Sequence, residues 1–427
     1  MADPRVKWRF VLVNSKDLSR IGVLQMARDR KVSLKLNKPG SGNFSYPMDA
    51  NYAENIEKYR TGIIAERFNW RQTQANNIAG IYGAVWDPIW SGYVLTIDED
   101  WTNNRMSIGC VGWMQRLAKR LLRAAQSWSA VDDGDIIRDI IQMVNGGPGA
   151  PSYEWAAGTT QYTAADTYVV KWPTGSSPNT SSWIKWGGTQ PNEGTGVIGG
   201  TAYVPLTSIV SPRNGQSAAR NFKVTKYQDA LSPIDQVVNI EYGCDIVCDP
   251  ITRAVTAHRR YSRVKDDVVI GFQWGPKNTA QFGRTLDGER QCNYFLAQGD
   301  PTATAGYADD PTGIADVGLI EEVTQLSGVA GAGPSGSANP VLLAYAGGEV
   351  VIRMNGVITY SVTPFVFSPN GPVPEPTVDY RVGDQIRVTA IHPPRGNIVN
   401  QAVRVFGMDF GIDDNDNEQL GALELSP

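Results

Sequence analysis

The sequence predicts a mainly β chain with some α (α+β class), multidomain, built of small β-barrel or sandwich domains with a short helical segment between them. Three observations carry this. Glycine (44) and proline (26) together approach a sixth of the 427 residues, which favours many strands joined by turns over a helical bundle. Apolar residues alternate with polar ones in short runs, as a strand with one buried face requires. The helical period appears only in a few separate stretches. A chain of this length buries large cores and divides into two to four domains.

The opening segment, 1–112, reads as strands. Val32, Leu34 and Leu36 alternate; Asn37-Lys38-Pro39-Gly40-Ser41-Gly42 then makes a turn, and Phe44 and Tyr46 restart a strand. Ala79–Trp86, Tyr93–Ile97 and Met106–Val111 follow, separated by Asp87-Pro88 and by Asp100–Asn104, and Asn51–Tyr59 suits one or two helical turns. A small antiparallel barrel or sandwich is the economical arrangement.

The period changes over 113–145. Trp113, Leu117 and Leu121 fall four apart and predict a helix to Arg123, with cations near its end. A second helix follows Asp132-Asp133-Gly134-Asp135; Ile136, Ile137, Ile140, Ile141 and Val144 line one face, and Asn145-Gly146-Gly147-Pro148 stops it.

Residues 146–217 form an insertion rich in Gly, Pro, Ser, Thr and Asn, with Trp155, Trp172, Trp183 and Trp186. Strand-like pieces at Thr167–Trp172, Trp183–Trp186 and Ala202–Leu206, and the tryptophans, predict order there.

An α+β domain is expected over 218–327. Ser232 as N-cap and Pro233 at the first helical position predict a helix ending at Gly243. A hairpin follows, Asp245–Val247 and Ala254–Tyr261, then strands Val268–Trp274 and Asn293–Gln298. Gly328–Ala338 reads as a flexible linker. In the β-rich segment 339–427, Asn339–Gly356 suits helix or strand. Val378 and Tyr380 lead to a tight turn at Val382-Gly383-Asp384, and alternation resumes at Ile386 and Val388. Tyr360–Phe367, Gln385–Ile391, Val403–Ile412 and Ala422–Leu425 are the expected strands.

Composition narrows the function. Lys+Arg 39 against Asp+Glu 43 gives a formal charge of -4, which does not suit an electrostatic nucleic-acid binder. The Met1–Arg5 start has no apolar leader core, and no run reaches membrane-span length, so synthesis in the cytoplasm without export is expected. Cys110 and Cys292 sit in apolar runs as buried thiols. Cys244 and Cys248 have no second pair at zinc-site spacing. Only His258 and His392 could serve a Ser-His-Asp arrangement, and neither stands near a Gly-x-Ser-x-Gly elbow. Asp413–Glu418 starts like a calcium loop but places Glu418 where the turn needs glycine, so an acidic turn between strands is expected. The basic run Arg253, His258, Arg259, Arg260, Arg263 and Lys265 suits a solvated or salt-bridged face. Gly328–Gly336 lacks the lysine of a phosphate loop. No catalytic, cofactor-binding or metal-ligating residue is therefore assigned. The 12 tryptophans exceed what cores alone need. Trp172, Trp183 and Trp186 suit sugar stacking, the core of a small β insertion, or a subunit contact.

Two motifs together resemble a known family. The Leu36-Asn37-Lys38-Pro39-Gly40 turn early in the chain and the Tyr380-Arg381-Val382-Gly383-Asp384 turn near its end are similar to those of the tail-tip hub, or minor tail, proteins of tailed siphophages. Asp310, Ile314, Gly318 and Glu321 match a further motif of that group, with Gly313 in place of its serine and Val317 in place of its tyrosine. The resemblance implies a non-enzymatic virion protein at the distal end of the tail, without cofactor, made in the host cytoplasm. It implies a homotrimeric baseplate hub that closes the tail tube and adapts a six-fold distal tail ring to a three-fold tip. Its implied partners are the distal tail protein, the tape-measure protein and other tail-tip or receptor-binding proteins, with DNA only in transit during ejection. The alternative is a host-attachment protein binding cell-surface glycans through the 146–217 insertion; a cell-wall hydrolase has no signature here.

Overall fold

The computed structural model describes residues 3–15, 18–78, 84–122, 125–131, 133–145, 167–173, 181–186, 197–198, 201–202, 220–239, 243–251, 253–259, 263–273, 275–300, 305–330, 340–354, 357–364, 373–392 and 397–426. The chain opens with β1 (Asp3–Asn14), β2 (Arg20–Val23), β3 (Arg28–Lys35), β4 (Ser41–Pro47) and β5 (Thr61–Phe68). Helix α1 (Trp70–Ile78) leads to the long β6 (Trp86–Asp100) and to β7 (Arg105–Gly112). A 3-10 helix (Trp113–Lys119), β8 (Gln126–Val131) and α2 (Asp133–Asn145) come next. After them stand β9 (Thr167–Pro173), β10 (Ser181–Trp186), β11 (Val197–Ile198), β12 (Thr201–Ala202) and β13 (Arg220–Val224). Helix α3 (Leu231–Asn239) precedes the hairpin β14 (Cys244–Cys248) and β15 (Ala254–Arg259). Then follow β16 (Val264–Phe272), β17 (Thr279–Asp287), β18 (Tyr294–Asp300), β19 (Ala305–Asp309), α4 (Pro311–Val317), β20 (Glu321–Ala330) and α5 (Pro340–Arg353). The last strands are β21 (Val357–Pro364), β22 (Gln385–His392), β23 (Asn397–Ile412) and β24 (Asn417–Ser426). The fold is mainly β with a few helices.

One large sheet joins both ends of the chain. Its order is β16-β22-β23-β3-β4-β7-β6-β5-β1-β24-β21-β17, and β23 also pairs with β24. That extra pairing closes a ring, β23-β3-β4-β7-β6-β5-β1-β24. The β23–β24 hairpin also belongs to a second set, β16-β22-β23-β24-β21-β17, whose end strands β16 and β17 are consecutive. Asn278 holds that end: its Nδ2 donates to Val269 O (2.9 Å) and its Oδ1 accepts from Gly271 N (2.8 Å). A single core runs through both sets, with Trp8, Phe10, Phe44, Ile63 and Val94 of the ring contiguous with Val268, Tyr360, Ile386 and Leu423.

A second core lies on the outside of the ring. The Ile136, Ile137, Ile140 and Ile141 stripe of α2 packs with Ile234, Val237 and Val238 of α3, with Trp113, Met114 and Leu117, and with Ile246 and Val255 of the hairpin. The third is small: Leu342, Ala346 and Val350, four apart on α5, cover Cys292, Phe295 and Ala297. That burial keeps α5 helical through Gly347-Gly348, where the sequence suits either state.

Several expectations are corrected. The stretch from Trp113 is a 3-10 helix ending at Lys119, not a longer helix to Arg123. Strand β6 runs straight through Asp87-Pro88 because a bulge opposite Ala65/Glu66 spares a proline the missing N–H. Helix α3 starts at Leu231, and its cap is Asp229, which accepts from Leu231 N (3.1 Å) and Ser232 N (2.9 Å). Residues 373–384 make turns and a Pro376–Tyr380 bridge, so the Tyr380 motif has one strand arm, β22, and not two. Gly328–Ala330 belongs to β20. Of the expected Ala79–Trp86 strand, 79–83 lie outside the described residues, as do 331–338 of the expected linker. Helix α1, WRQTQANNI, has no apolar stripe and was not expected; Asn69 Oδ1 caps it by accepting from Gln72 N (2.9 Å).

Candidate functional site

The two motif turns, far apart in sequence, meet at one point of β23. This strand changes neighbours there: Arg404 is its last residue opposite β22, and Gly407 its first opposite β3. Val405 and Phe406, between them, are bonded by the turns. Leu36 N donates to Phe406 O (2.8 Å), Gly383 N donates to Val405 O (2.8 Å), and Val405 N donates to Asp384 O (2.9 Å). Gly383 has φ +91°, a conformation side chains resist, and a Cβ there would lie 3.2 Å from Leu36 Cδ1. The Asp384 side chain is buried; it accepts from Arg381 N (2.8 Å) and pairs with Arg263 (2.7 Å). Burial pushes its carboxyl above the usual range despite Arg263.

The first turn also fastens the outer core to the ring. Asn37 Oδ1 accepts from Ile246 N (2.7 Å), and Asn37 Nδ2 faces Asp245 Oδ1 (3.5 Å), which pairs with Arg404 (3.3 Å). Pro39 lies flush on the end of β7: a Cβ on Gly112 would stand 1.8 Å from Pro39 O, so only glycine fits.

A buried ionic cluster forms at the start of β24, where it pairs with β1 and β23 in the ring. Arg67 is 2% exposed and pairs with Glu418 (2.7 Å) and Glu375 (2.6 Å). Trp8 Nε1 donates to Glu418 (2.7 Å), and Arg71 joins Glu375 (3.1 Å) to Asp379 (2.9 Å). Each strand reads as ordinary alternation, so the signal for these residues is slight: a lone arginine in TGIIAERF and the first of two glutamates in NEQLGALE, both at inward positions.

This joint has an architectural chemistry. Its carboxylates face arginines at bonding distance, an arrangement that fixes register and leaves none poised as a base. The Asp413–Asp416 turn is similarly engaged: Arg30 bonds Asp416 (2.5 Å) and Asp413 O (2.7 Å), and Arg28 pairs with Asp414 (3.0 Å). Cys244 and Cys248 lie four apart on one extended strand, about 13 Å from each other, too far to share an ion. Among the described residues no cluster of three metal-ligating side chains occurs. Burial pushes the Cys110 thiol far up, away from thiolate chemistry. His258 stands opposite Asp245 on the β14–β15 hairpin, while His392 ends β22, so the two lie in different sheets.

The basic run is divided. Arg253 is buried with its guanidinium 4.4 Å from the Trp113 ring, Arg263 pairs with Asp384, and Lys265 lies on β16; Arg260 lies outside the described residues. Asp310 caps α4 by accepting from Thr312 N (3.2 Å), and Gly318 ends it at φ +88°. Asn293 ties that loop to β18, donating to Gly318 O (2.7 Å) and accepting from Ile320 N (2.7 Å).

Trp172 lies on β9 opposite Ser182, and Trp183 and Trp186 lie on β10 opposite Lys171 and Thr167; Trp172 and Trp183 thus take alternate positions of the pair. Strand β9 also pairs, in parallel, with β15. Trp155 lies outside the described residues.

No known family and no curated protein matches the chain by sequence. Solved structures do match by shape. The prophage tail protein gp18 from Listeria monocytogenes EGD-e aligns with 98% of this chain and 94% of its own at 9% identity, TM-score 0.49. The tail protein from Neisseria meningitidis MC58 aligns with 99% and 97% at 10% identity, TM-score 0.46. The 43 kDa tail protein of prophage MuSo2 from Shewanella oneidensis aligns with 98% of each chain at 10% identity, TM-score 0.50. By fold, and along nearly its whole length, the chain is similar to this phage tail protein.

Proposed function

We propose that the chain is a structural, non-enzymatic component of a phage virion: the homotrimeric hub of the tail tip. The observation that carries this is the shared β23–β24 hairpin. It makes each chain a bearer of two adjacent strand sets, which we read as two small barrels. Three such chains around an axis bring six barrels, the number that matches a six-fold ring above while the assembly stays three-fold below. Fold likeness to a prophage tail protein over 98% of both chains supports a place in the tail. In this reading segments 1–112 and 339–427, with β16 and β17 of the 218–327 segment, build the two barrels together, and the 113–145 segment and the rest of 218–327 dress their outside. The insertion at 146–217 serves a peripheral role. The distal tail protein would sit on the barrels, with the tape-measure protein held within and DNA passing only at ejection.

Immunogold labelling of the source phage with an antibody to this chain tests the reading. Gold confined to the distal tail end is expected; gold along the tail, or absent from particles, would overturn it. Light scattering of the purified chain, alone and with distal tail protein, checks the trimer.

A further inference from the structure

The stretch between Arg290 and Arg353 holds seven Asp and Glu and no Lys, Arg or His. The whole chain has a formal charge of -4, so the rest of it carries +3, 39 cations against 36 of the 43 acids. This acidic stretch folds as the β19-β18-β20 sheet with α5 on one face. Alternation puts Phe295, Ala297 and Glu322 on that face, where Glu322 pairs with Arg353.

The other face is bare among the described residues. Tyr307, Leu296 and Val323 stand side by side across it, and the next row is Asp309, Tyr294 and Glu321. Tyr307 is 58% and Val323 56% exposed, and the Tyr294 and Tyr307 rings stack at 5.9 Å. Asp309 and Glu321 are exposed and meet no cation among the described residues. Strands β18 and β20 pair in parallel, an arrangement found where both faces of a sheet are covered.

A complement stands elsewhere on the same chain. Beyond the 3-10 helix, Leu122 N donates to Gln228 O (2.8 Å) and Tyr227 N donates to Leu122 O (2.6 Å). This ladder turns Leu122 inward and leaves Leu121 51% and Tyr227 63% exposed. Lys226 holds its ammonium 5.0 Å from the Tyr227 ring, and Lys119 and Lys223, both exposed, stand on the two segments that lead into the turn. None of the three lysines meets a carboxylate among the described residues, since Asp229 beside them is engaged at the start of α3. Exposed apolar side chains rimmed by charge mark an interface, and here the two rims have opposite sign.

We infer that the bare sheet face of one copy receives the Leu121–Tyr227 turn of a second copy. The apolar side chains meet Tyr307, Leu296 and Val323, and the lysines meet Asp309 and Glu321. A contact between two different patches is head-to-tail, and repeated about an axis it closes a ring. That copies of the chain meet rests on the hub reading; which faces meet is read from charge and exposure.

Light scattering of the full chain tests the contact through charge reversal at surface positions. Asp309→Lys with Glu321→Lys, and separately Lys223→Glu with Lys226→Glu, should each raise the concentration needed for assembly about tenfold or more. All four changes in one chain should restore it. Co-expressed Val323→Cys and Tyr227→Cys chains should form a mixed disulfide between copies, which neither forms alone. Assembly that ignores both reversals overturns the contact and leaves the trimer standing. A combined variant no better than either pair, or a disulfide formed equally by each cysteine chain alone, also overturns it. A parent chain that stays monomeric overturns the contact too, while immunogold still decides the place in the tail. Two copies in place of three, with the charge dependence intact, would keep the contact and overturn the trimer.

Discussion

Gly383 stands against Leu36, so close that a Cβ on the glycine would meet Leu36 Cδ1 at 3.2 Å. One belongs to the turn after β3 and the other to the turn before β22, and both turns hold β23 where it passes from one strand set to the other. Gly383→Ala should therefore cost about 1–2 kcal/mol for the left-handed backbone plus the displacement of Leu36. Leu36→Ala, which empties a buried site, should cost about 2–5 kcal/mol. Urea unfolding of both variants checks this. Equal stability of Gly383→Ala and the parent would show that the joint does not hold the sets together.

The Arg67 cluster should behave as a unit. Removing the guanidinium in Arg67→Met leaves Glu418 buried with unopposed charge and Glu375 with Arg71 alone, at a cost of about 3–5 kcal/mol. Arg67→Met with Glu418→Gln should cost clearly less than the two single changes summed. Additive losses in denaturant unfolding would contradict the coupling.

The reach of the sequence depended on distance along the chain. Strands β3 and β4 and helix α2 were legible because Val32, Phe44, Tyr46 and the Ile136–Val144 stripe carry their periods within one element. Helix α1 was not, since its residues are polar all round and Asn69 holds it by a cap. Pro88 misled because the bulge that admits it, with Ile89 as the extra residue of β6 opposite Ala65/Glu66, is set by pairing with β5 and leaves no local signal. The joint itself shows the limit most clearly. Each motif turn could be read alone, but their meeting at Val405 and Phe406 depends on pairings between the two ends of the chain. No local period encodes such pairings.

Asn37 should anchor the outer core. Its carboxamide oxygen satisfies Ile246 N, and its backbone sits at φ 61°, where glycine is at ease. Asn37→Gly therefore isolates the lost bond, and an unsatisfied buried N–H should cost about 1–3 kcal/mol. Hydrogen exchange should speed up at Ile246 and its β14 neighbours while β4 and β7 stay protected. Uniform acceleration across both would mean that the turn acts on the whole fold instead.

Asp235 predicts a stability that depends on pH. Burial, with Asp229 nearby, pushes its carboxyl up to about 6 against the pull of Lys38, from 3.8 in the unfolded chain. The folded state thus holds this proton more tightly, so the contribution is fully favourable below the unfolded value and is lost as pH rises through 6. A rise from 3.8 to about 6 corresponds to about 3 kcal/mol at full burial. Partial exposure of Asp235 reduces this to about 1–2 kcal/mol. Asp235→Asn removes the charge that burial opposes. It should stabilise the fold by that amount at pH 8 and by little at pH 4, as read from paired urea titrations. A gain that is the same at both values would place the effect in packing of α3 and not in its carboxyl.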